Sequence, residues 1–367
     1  MRSSVILLSS YSPSLVAFRG PLIRQLMAQG RAVIGCGPED ASAQVAAIGA
    51  EFEAIGPHRT SINPVYDLLY ALRLIRLIRR RRPTAVIAYT AKPVIWGCLS
   101  SWVVRVPTRV AMITGLGFAF GDGARRAKWT QRAVRWLYRV SLARATCVIF
   151  QNPDDLAEFE QLGLIERGIA HVVNGSGVDL RHFSPVSLPG KSTFLLIARL
   201  LADKGIREYV QAAKQIQGSH PQARFLLVGW YDDNPCSLRH EEVDSWIQDG
   251  IIEFLGRLED VRPAIAQADV YVLPSYREGT PRSVLEAMAM GRPIITTDVP
   301  GCRQTVIEGV NGFLVPARDA DAVAQAMRRF LVDPSLAARM GTESLRLAET
   351  RFEAEIVARA VVNAAGL

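Results

Sequence analysis

Short apolar runs alternate with amphipathic stretches from one end of the chain to the other. In the first half, runs at 4–9, 31–35, 85–89, 108–112 and 146–150 have the length and β-branched content of strands buried on both faces, and helical periodicity covers 18–29, 66–80, 93–104 and 125–144. In the second half, strands are predicted at 194–199, 224–229, 251–255, 270–274, 293–297 and 312–315, and helices near 205–217, 260–268, 281–290, 319–331 and 335–348. Strict alternation of this kind predicts α/β layers, with helices on both faces of doubly wound parallel sheets. The turn-rich segment Asn174-Gly175-Ser176-Gly177-Val178-Asp179, with Ser184-Pro185 and Pro189-Gly190 behind it, marks a linker over 174–190 between a first domain at 1–173 and a second beginning at 191.

Composition changes this picture in one respect. Of 367 residues, 49% are hydrophobic and 21% charged, which is ordinary for a folded chain of two domains and excludes collagen-like, disordered and disulfide-scaffold classes. The net charge of +8 is unevenly placed: residues 1–180 carry 22 basic against 12 acidic side chains, and residues 181–367 carry 21 against 23. A basic first half points to an anionic surface, polymer or headgroup as its partner. Five scattered cysteines without a C-x-x-C pair fit a reducing compartment and argue against structural zinc. The apolar run Val5–Leu8 is too short for the core of a signal peptide, and no stretch approaches the ~20 apolar residues of a membrane span. A cytoplasmic protein that touches a membrane is the expectation.

Two motifs mislead. Gly190-Lys191-Ser192-Thr193 resembles the end of a phosphate loop, but Pro185 stands where the first glycine belongs and a strand follows instead of a helix. Asp319-Ala320-Asp321 spells a metal-binding D-x-D, yet its place at the head of a helical pattern predicts an N-cap. No histidine lies at metal-ligand spacing from another histidine or a cysteine, so no metal site is expected.

The chemistry concentrates between residues 199 and 316. The strand at 270–274 is followed by Tyr276-Arg277-Glu278-Gly279-Thr280-Pro281-Arg282-Ser283-Val284 and then by a helix, with Thr280 suited to its cap and Pro281 to its first turn. Glu278 therefore falls at the carboxyl edge of a parallel sheet, where open α/β folds bind ligands. Gly279, Thr280, Pro281, Arg282, Ser283 and Val284 supply the close backbone approach and the free amides of a helix start, an anion site. Glu286 lies within the helix, and two carboxylates so placed suit the hydroxyls of two sugar rings. Arg199 and Lys204 follow the first strand of the second domain at the same edge. They form a cationic clamp for a diphosphate and for the charge on a departing nucleoside diphosphate. Arg257 and Leu258, ending a third strand, bring main-chain groups within reach of a base.

Glu278-x7-Glu286, the Arg199…Lys204-Gly205 pair, and Asp298-Val-Pro-Gly-Cys-Arg…Asn311-Gly-Phe-Leu-Val-Pro resemble the retaining, nucleotide-sugar-dependent glycosyltransferases of family 4. The resemblance covers the second domain. It implies the GT-B fold, two Rossmann-like domains facing a cleft, with the second domain over 191–350 and a final helix (351–367) that crosses back to the first. It also implies that Glu278 holds donor-sugar hydroxyls, Glu286 the ribose, and Arg199 and Lys204 the diphosphate, with no metal or other cofactor. The family's glycine pair after the first strand is missing: the loop Ser9–Gly20 carries only Gly20.

The first domain resembles a narrower subgroup through Phe18-Arg19, Thr90-Ala91-Lys92-Pro93 and Ile113-Thr114-Gly115-Leu116-Gly117. Those enzymes extend saccharides on polyprenyl diphosphate using UDP-linked sugars, often N-acetylhexosamines. Lys92 is the candidate for gripping the acceptor diphosphate, Arg59 with Ser61 and Asn63 a weaker one, and Phe18, Arg19, Thr114 and Gly115 are further acceptor candidates. Wound at 100° per residue, Lys128, Arg132, Arg135 and Arg139 share a ~60° sector, with Ala133, Val134, Leu137 and Val140 on the other side and Trp129 and Trp136 at the boundary. That pattern predicts a helix lying in an anionic headgroup layer, on the inner face of the cytoplasmic membrane. Nucleic acid could use the same charge, but no recognition motif accompanies it. The expectation is a glycosyltransferase of cell-surface glycan biosynthesis. Its rivals are a GT-B nucleotide-sugar epimerase or hydrolase, and a silent scaffold docked on membrane.

Overall fold

The structure, a computed structural model, describes residues 3–57, 63–115, 128–166, 168–232, 234 and 236–367, with backbone course alone at 128–130. The chain divides into two compact units, Met1–Gly177 with Ala354–Leu367, and Val178–Glu353.

The first unit is built on seven parallel strands: β1 (Ser4–Leu8), β2 (Ala32–Cys36), β3 (Glu51–Glu53), β4 (Ala85–Tyr89), β5 (Thr108–Ile113), β6 (Cys147–Phe150) and β7 (Ala170–Val172). They lie in the order β3-β2-β1-β4-β5-β6-β7. Its helices are α1 (Ser14–Ala17), α2 (Gly20–Ala28), α3 (Ser42–Ala47), α4 (Pro64–Arg81), α5 (Ala91–Val103), α6 (Lys128–Leu142) and α7 (Pro153–Gln161). The central strands are buried on both faces, so alternate residues enter two cores. Ile6, Leu8, Val86 and Ala88 meet α4 to α7, while Val5, Leu7, Ala85 and Ile87 meet α2 and α3.

The second unit has six parallel strands, β8 (Thr193–Ile197), β9 (Arg224–Val228), β10 (Glu253–Phe254), β11 (Val270–Leu273), β12 (Ile294–Thr297) and β13 (Gly312–Val315), in the order β10-β9-β8-β11-β12-β13. Its helices are α8 (Ile206–Gln217), α9 (His240–Gln248), α10 (Arg262–Ala266), α11 (Arg282–Ala289), α12 (Ala320–Val332) and α13 (Ser335–Leu347). A π-helical turn, Ala348–Phe352, then leads to α14 (Ala354–Ala364). The apolar stripe of α14, Val357, Ala358, Val361 and Val362, packs in the first unit's core with Leu22, Ile23 and Leu26 of α2.

Both sheets reverse winding direction beside their first strand, between β1 and β4 and between β8 and β11. Such switch points open a crevice at the carboxyl ends of the strands.

Every sequence-predicted strand and helix is present within a few residues. Those without a sequence signal are short or polar: β3 and β7 are three-residue edge strands, α1 and α3 span four and six residues, and α7 and α9, nine residues each, have acidic first turns at Asp154-Asp155 and Glu241-Glu242. The strand expected at 251–255 pairs over Glu253–Phe254 only. The phosphate-loop look-alike holds its own chain's carboxylate, since the amides of Gly190, Lys191 and Thr193 donate to Asp269 at 2.7, 2.9 and 3.0 Å. Asp319 caps α12 through Ala322 N at 2.9 Å.

Arg292, wholly buried, is a feature the sequence did not signal. Its guanidinium donates to the carbonyls of Ile265, Ala266, Val186, Ser187 and Met290, which fastens the segment after the first unit to the ends of α10 and α11. Burial draws its pKa below the usual arginine value, with Asp269 opposing. The carbonyls hold the charge, and removing it would orphan several buried acceptors at once. Arg292→Met is expected to destabilise the chain by at least ~3 kcal/mol, read as a lower urea midpoint by circular dichroism; an unchanged midpoint contradicts this.

Candidate active site

Three loops at the carboxyl edge of the second sheet interlock, and glycine makes this possible. After β8 the chain runs through Arg199, Leu200 and Leu201 into a short 3-10 turn, Ala202–Lys204, and reverses at Gly205 with φ +69°. A Cβ at Gly205 would lie 2.0 Å from the carbonyl oxygen of Pro274, so only glycine lets this turn press against the end of β11. The Asp203 carbonyl accepts from Tyr276 N at 2.8 Å and from Ser275 Oγ at 3.1 Å. On the other side, Glu278 N donates to Pro300 O at 3.1 Å, and a Cβ at Gly301 (φ +83°) would meet Glu278 O at 2.2 Å. Thr296 and Thr297 on β12 donate their hydroxyls to Leu273 O and Ser275 O.

This stitching brings Lys204 Nζ to 2.6 Å from Glu278 Oε1, with both side chains less than a fifth exposed. Burial is the largest influence on Lys204 and works against its charge; Glu278 and Asp203 more than offset it, and the pKa is held above the usual lysine range. Arg199, near enough to oppose that charge, pairs with Asp232 at 2.8 Å. On α11, Arg282 Nε lies 2.7 Å from Glu286 Oε1. Burial raises Glu286 above the ordinary carboxylate range, with Arg282 pulling the other way. Both Glu278 and Glu286 act on the buried Tyr271, whose hydroxyl bonds Ile197 O at 3.1 Å. Ser283 Oγ bonds the same carbonyl at 3.2 Å, tying the head of α11 to the end of β8.

The four charged residues singled out from the sequence, Arg199, Lys204, Glu278 and Glu286, thus gather on one rim of the second unit. Other expectations need correction. Thr280 does not cap α11: Pro281 occupies that position, and the Thr280 hydroxyl bonds Gly279 O at 2.9 Å. Pro281 and Val284 are buried and Leu258 packs on the core, so these three offer main chain, not side chains. Arg257 stands 5.3 Å over the ring of Trp230, an exposed aromatic at the end of β9 that the sequence reading passed over. It also passed over Asp232, although an acid just beyond a neighbouring strand end is where a partner for Arg199 belongs.

In the first unit, Lys92 Nζ lies 2.7 Å from Asp67, the one carboxylate among the arginines of α4. Arg19 is buried, its guanidinium 4.9 Å over the Tyr89 ring. Phe18 is exposed, and Thr114 and Gly115 stand at the end of β5. Asn63 caps α4 through Val65 N at 2.9 Å, while Arg59 and Ser61 lie outside the described residues. Where the family's glycine pair is missing, a hydroxyl network fills the switch point: Ser9 and Ser14 at 3.0 Å, Ser14 and Tyr89 at 2.9 Å, Ser10 and Thr90 at 2.8 Å.

The membrane helix expected at α6 is corrected in its apolar face. Val134 and Leu137 of that face pack into the first unit's core beside Tyr138 and Leu142, while Ala133 is exposed and Val140 is half-buried. Arg132, Trp136 and Arg139 are exposed and Arg135 is half-buried; the side chains of Lys128 and Trp129 lie outside the described residues. Among the described residues, no helix is long and apolar enough to cross a membrane, and no group of metal-ligating side chains is present.

Two parallel α/β units of this topology have the GT-B fold. Residues 18–175 match the glycosyl transferase 4-like domain and residues 191–333 the group 1 glycosyl transferases; between them the two matches span most of the chain, which belongs to this glycosyltransferase family. It is 28% identical over 344 residues to the N,N'-diacetylbacillosaminyl-diphospho-undecaprenol α-1,3-N-acetylgalactosaminyltransferase of Campylobacter jejuni, covering 90% of this chain and 89% of that one. It is 25% identical to the Escherichia coli UDP-Gal:α-D-GlcNAc-diphosphoundecaprenol α-1,3-galactosyltransferase, covering 75% and 73%. Sucrose-phosphate synthase of Thermosynechococcus elongatus has a similar structure, with a TM-score of 0.82 at 22% identity over 99% of this chain and 98% of that one. So has Anabaena HepE in complex with UDP, with 0.77 at 16% over 99% of each.

The raised pKa of Glu286 means the folded chain binds that proton more tightly than the unfolded one. Its carboxyl therefore favours the fold at low pH, and that contribution is lost as pH rises from the ordinary carboxylate range through the raised value. Glu286→Gln is expected to make the change in urea midpoint from pH 4 to pH 7 more positive than in the native chain, since it removes a contribution that declines with rising pH; an equal change in both chains would show that Glu286 does not titrate there.

Proposed function

We propose that this chain transfers a sugar, an N-acetylhexosamine or a hexose, from a UDP-sugar to a saccharide carried on polyprenyl diphosphate, with retention at the anomeric carbon. The step belongs to cell-surface glycan biosynthesis, on the inner face of the cytoplasmic membrane. The observation that carries the reading is the Lys204–Glu278 pair with Arg199 beside it. Two cations and the amides at the head of α11 suit a diphosphate, and two carboxylates suit the hydroxyls of sugar and ribose. The names of the Campylobacter and Escherichia relatives, which specify a diphospho-undecaprenol acceptor and, in one case, a UDP donor, support the same assignment. Both are named for transfer, which favours transfer over an epimerase or hydrolase.

In this reading Arg199 and Lys204 bind the donor's diphosphate and stabilise the charge that grows on UDP as the glycosidic bond breaks. Glu278 orients the sugar by accepting from its hydroxyls, and Glu286 does the same for the ribose, each exchanging its present cationic partner for the ligand. UDP departs from the face on which the acceptor hydroxyl arrives, so that the protein's work is positioning and charge stabilisation, with no protein nucleophile. Lys92 holds the acceptor's diphosphate. The cations take the role that a divalent ion would fill, and EDTA is expected to leave the rate unchanged.

The test is a panel of radiolabelled UDP- and GDP-sugars offered with a polyprenyl-diphosphate-linked acceptor in detergent. Transfer from a UDP-sugar is expected, and Lys204→Ala or Glu278→Ala should cut turnover at least ~100-fold, as the loss of one preorganised charge partner does elsewhere. Near-native rates from either variant, or donor breakdown that ignores the acceptor, would refute the proposal.

A further inference from the structure

Five of the exposed large apolar side chains in this protein fall in the first half of one helix. Val65, Tyr66, Leu68, Leu69 and Leu72, on the opening turns of α4, are each between 42% and 58% exposed. The inward side of α4 is already used, with Tyr70, Leu74, Leu77 and Ile78 in the core. Wound at 100° per residue, Val65, Leu69, Leu72 and Arg76 share an outward sector ~80° wide or less. The second half of that outward face is cationic, with Arg73, Arg76 and Arg79 exposed. Three exposed leucines within five residues, on the solvent side of a surface helix, mark a surface that meets something.

Charge says what that something is. Helices α4, α5 and α6 lie side by side on one face of the sheet, packed into a common core. Together they hold ten basic residues and a single acidic one, Asp67, which is turned onto Lys92. Arg132, Trp136 and Arg139 of α6 are exposed in the same layer. An apolar tip backed by arginine and tryptophan, with no outward carboxylate on its helices, fits an anionic lipid surface: leucines enter the acyl boundary while arginines stay among the headgroups.

Position agrees. Asp67 ties the first turns of α4 to Lys92, at the carboxyl end of β4, so the leucines flank the edge where the acceptor diphosphate is proposed to bind. We infer that the first two turns of α4, Val65 to Leu72, are the segment of this protein that enters an anionic bilayer, with the arginines that follow held among the headgroups. The inference rests on the lipid-acceptor reading for its purpose and on the exposed face for its evidence. It moves the apolar contact from α6, whose apolar face is in the core, to α4.

The experiment is co-sedimentation with vesicles of phosphatidylcholine and phosphatidylglycerol at 3:1, and of phosphatidylcholine alone. The native chain should bind the mixed vesicles more tightly than the neutral ones. Leu68→Ser/Leu69→Ser/Leu72→Ser should lower partitioning at least ~10-fold, and Arg73→Glu/Arg76→Glu should remove the preference for phosphatidylglycerol. Leu68→Ala/Leu69→Ala/Leu72→Ala, which keeps helix propensity, should also weaken binding, and thermal melts of all three variants should match the native chain. With acceptor in detergent the leucine variants should turn over at the native rate; with acceptor in vesicles they should be slower. Equal partitioning of native and variant chains overturns the inference, as does self-association of the native chain without vesicles that the leucine variants abolish, which would make this face a contact between copies. Absence of transfer in detergent alongside leucine-dependent vesicle binding would sink the acceptor reading and support this one.

Discussion

The buried contact between Lys204 and Glu278 is the constraint on which the site depends. Two charges less than a fifth exposed would be costly to desolvate singly, and they are tolerated because they face each other at 2.6 Å. Reaching that distance requires two loops from different strands to touch, which only the missing side chains of Gly205 and Gly301 allow. Hydrogen bonds from Ser275, Tyr276, Thr296 and Thr297 then fix the loops to one another. Precise placement of charge is thus obtained from backbone proximity, not from a flexible side chain finding its partner.

The same solution recurs at three further candidate ligand contacts. Arg199 faces Asp232, Arg282 faces Glu286 and Lys92 faces Asp67, at 2.7 to 2.8 Å. Arg199, Lys204, Lys92, Glu278 and Glu286, proposed to meet a phosphate or a hydroxyl, each have an opposite charge beside them. A substrate that takes one member of such a pair must replace what that member loses, which favours ligands carrying both anionic and hydroxyl groups. A nucleotide sugar has both. Discrimination then comes partly from the partners a wrong ligand would leave unsatisfied.

The two units distribute their apolar helix faces differently on one architecture. In the second unit, the helices bury their apolar stripes and the polar chemistry stays at the sheet edge. In the first, α5 and α6 pack an apolar stripe inward and leave only Trp102, Val103 and Trp136 outward among their described large apolar residues, whereas α4 has an apolar stripe on each side, one for the core and one outward. Hydrophobic periodicity alone describes such a helix as ordinary, because the inward stripe satisfies the pattern; the extra leucines register only once the inward side is known.

The sequence by itself determined the parallel α/β class, the succession of the longer strands and helices, and the residue types gathered after 199 and after 275. These follow from local pattern: apolar runs of strand length, helical spacing, and turn residues at the joins. Tertiary structure alone decided which charges pair. Asp232, Asp67 and Arg292 carry no local signal, since their partners lie 33, 25 and as many as 106 residues away. It also decided which face of α6 is inside, because a helix whose cationic and apolar sides are both distinct can turn either way until a sheet is placed beneath it. Chain-local pattern says what a segment is able to bury, and only packing against distant segments says what it does bury.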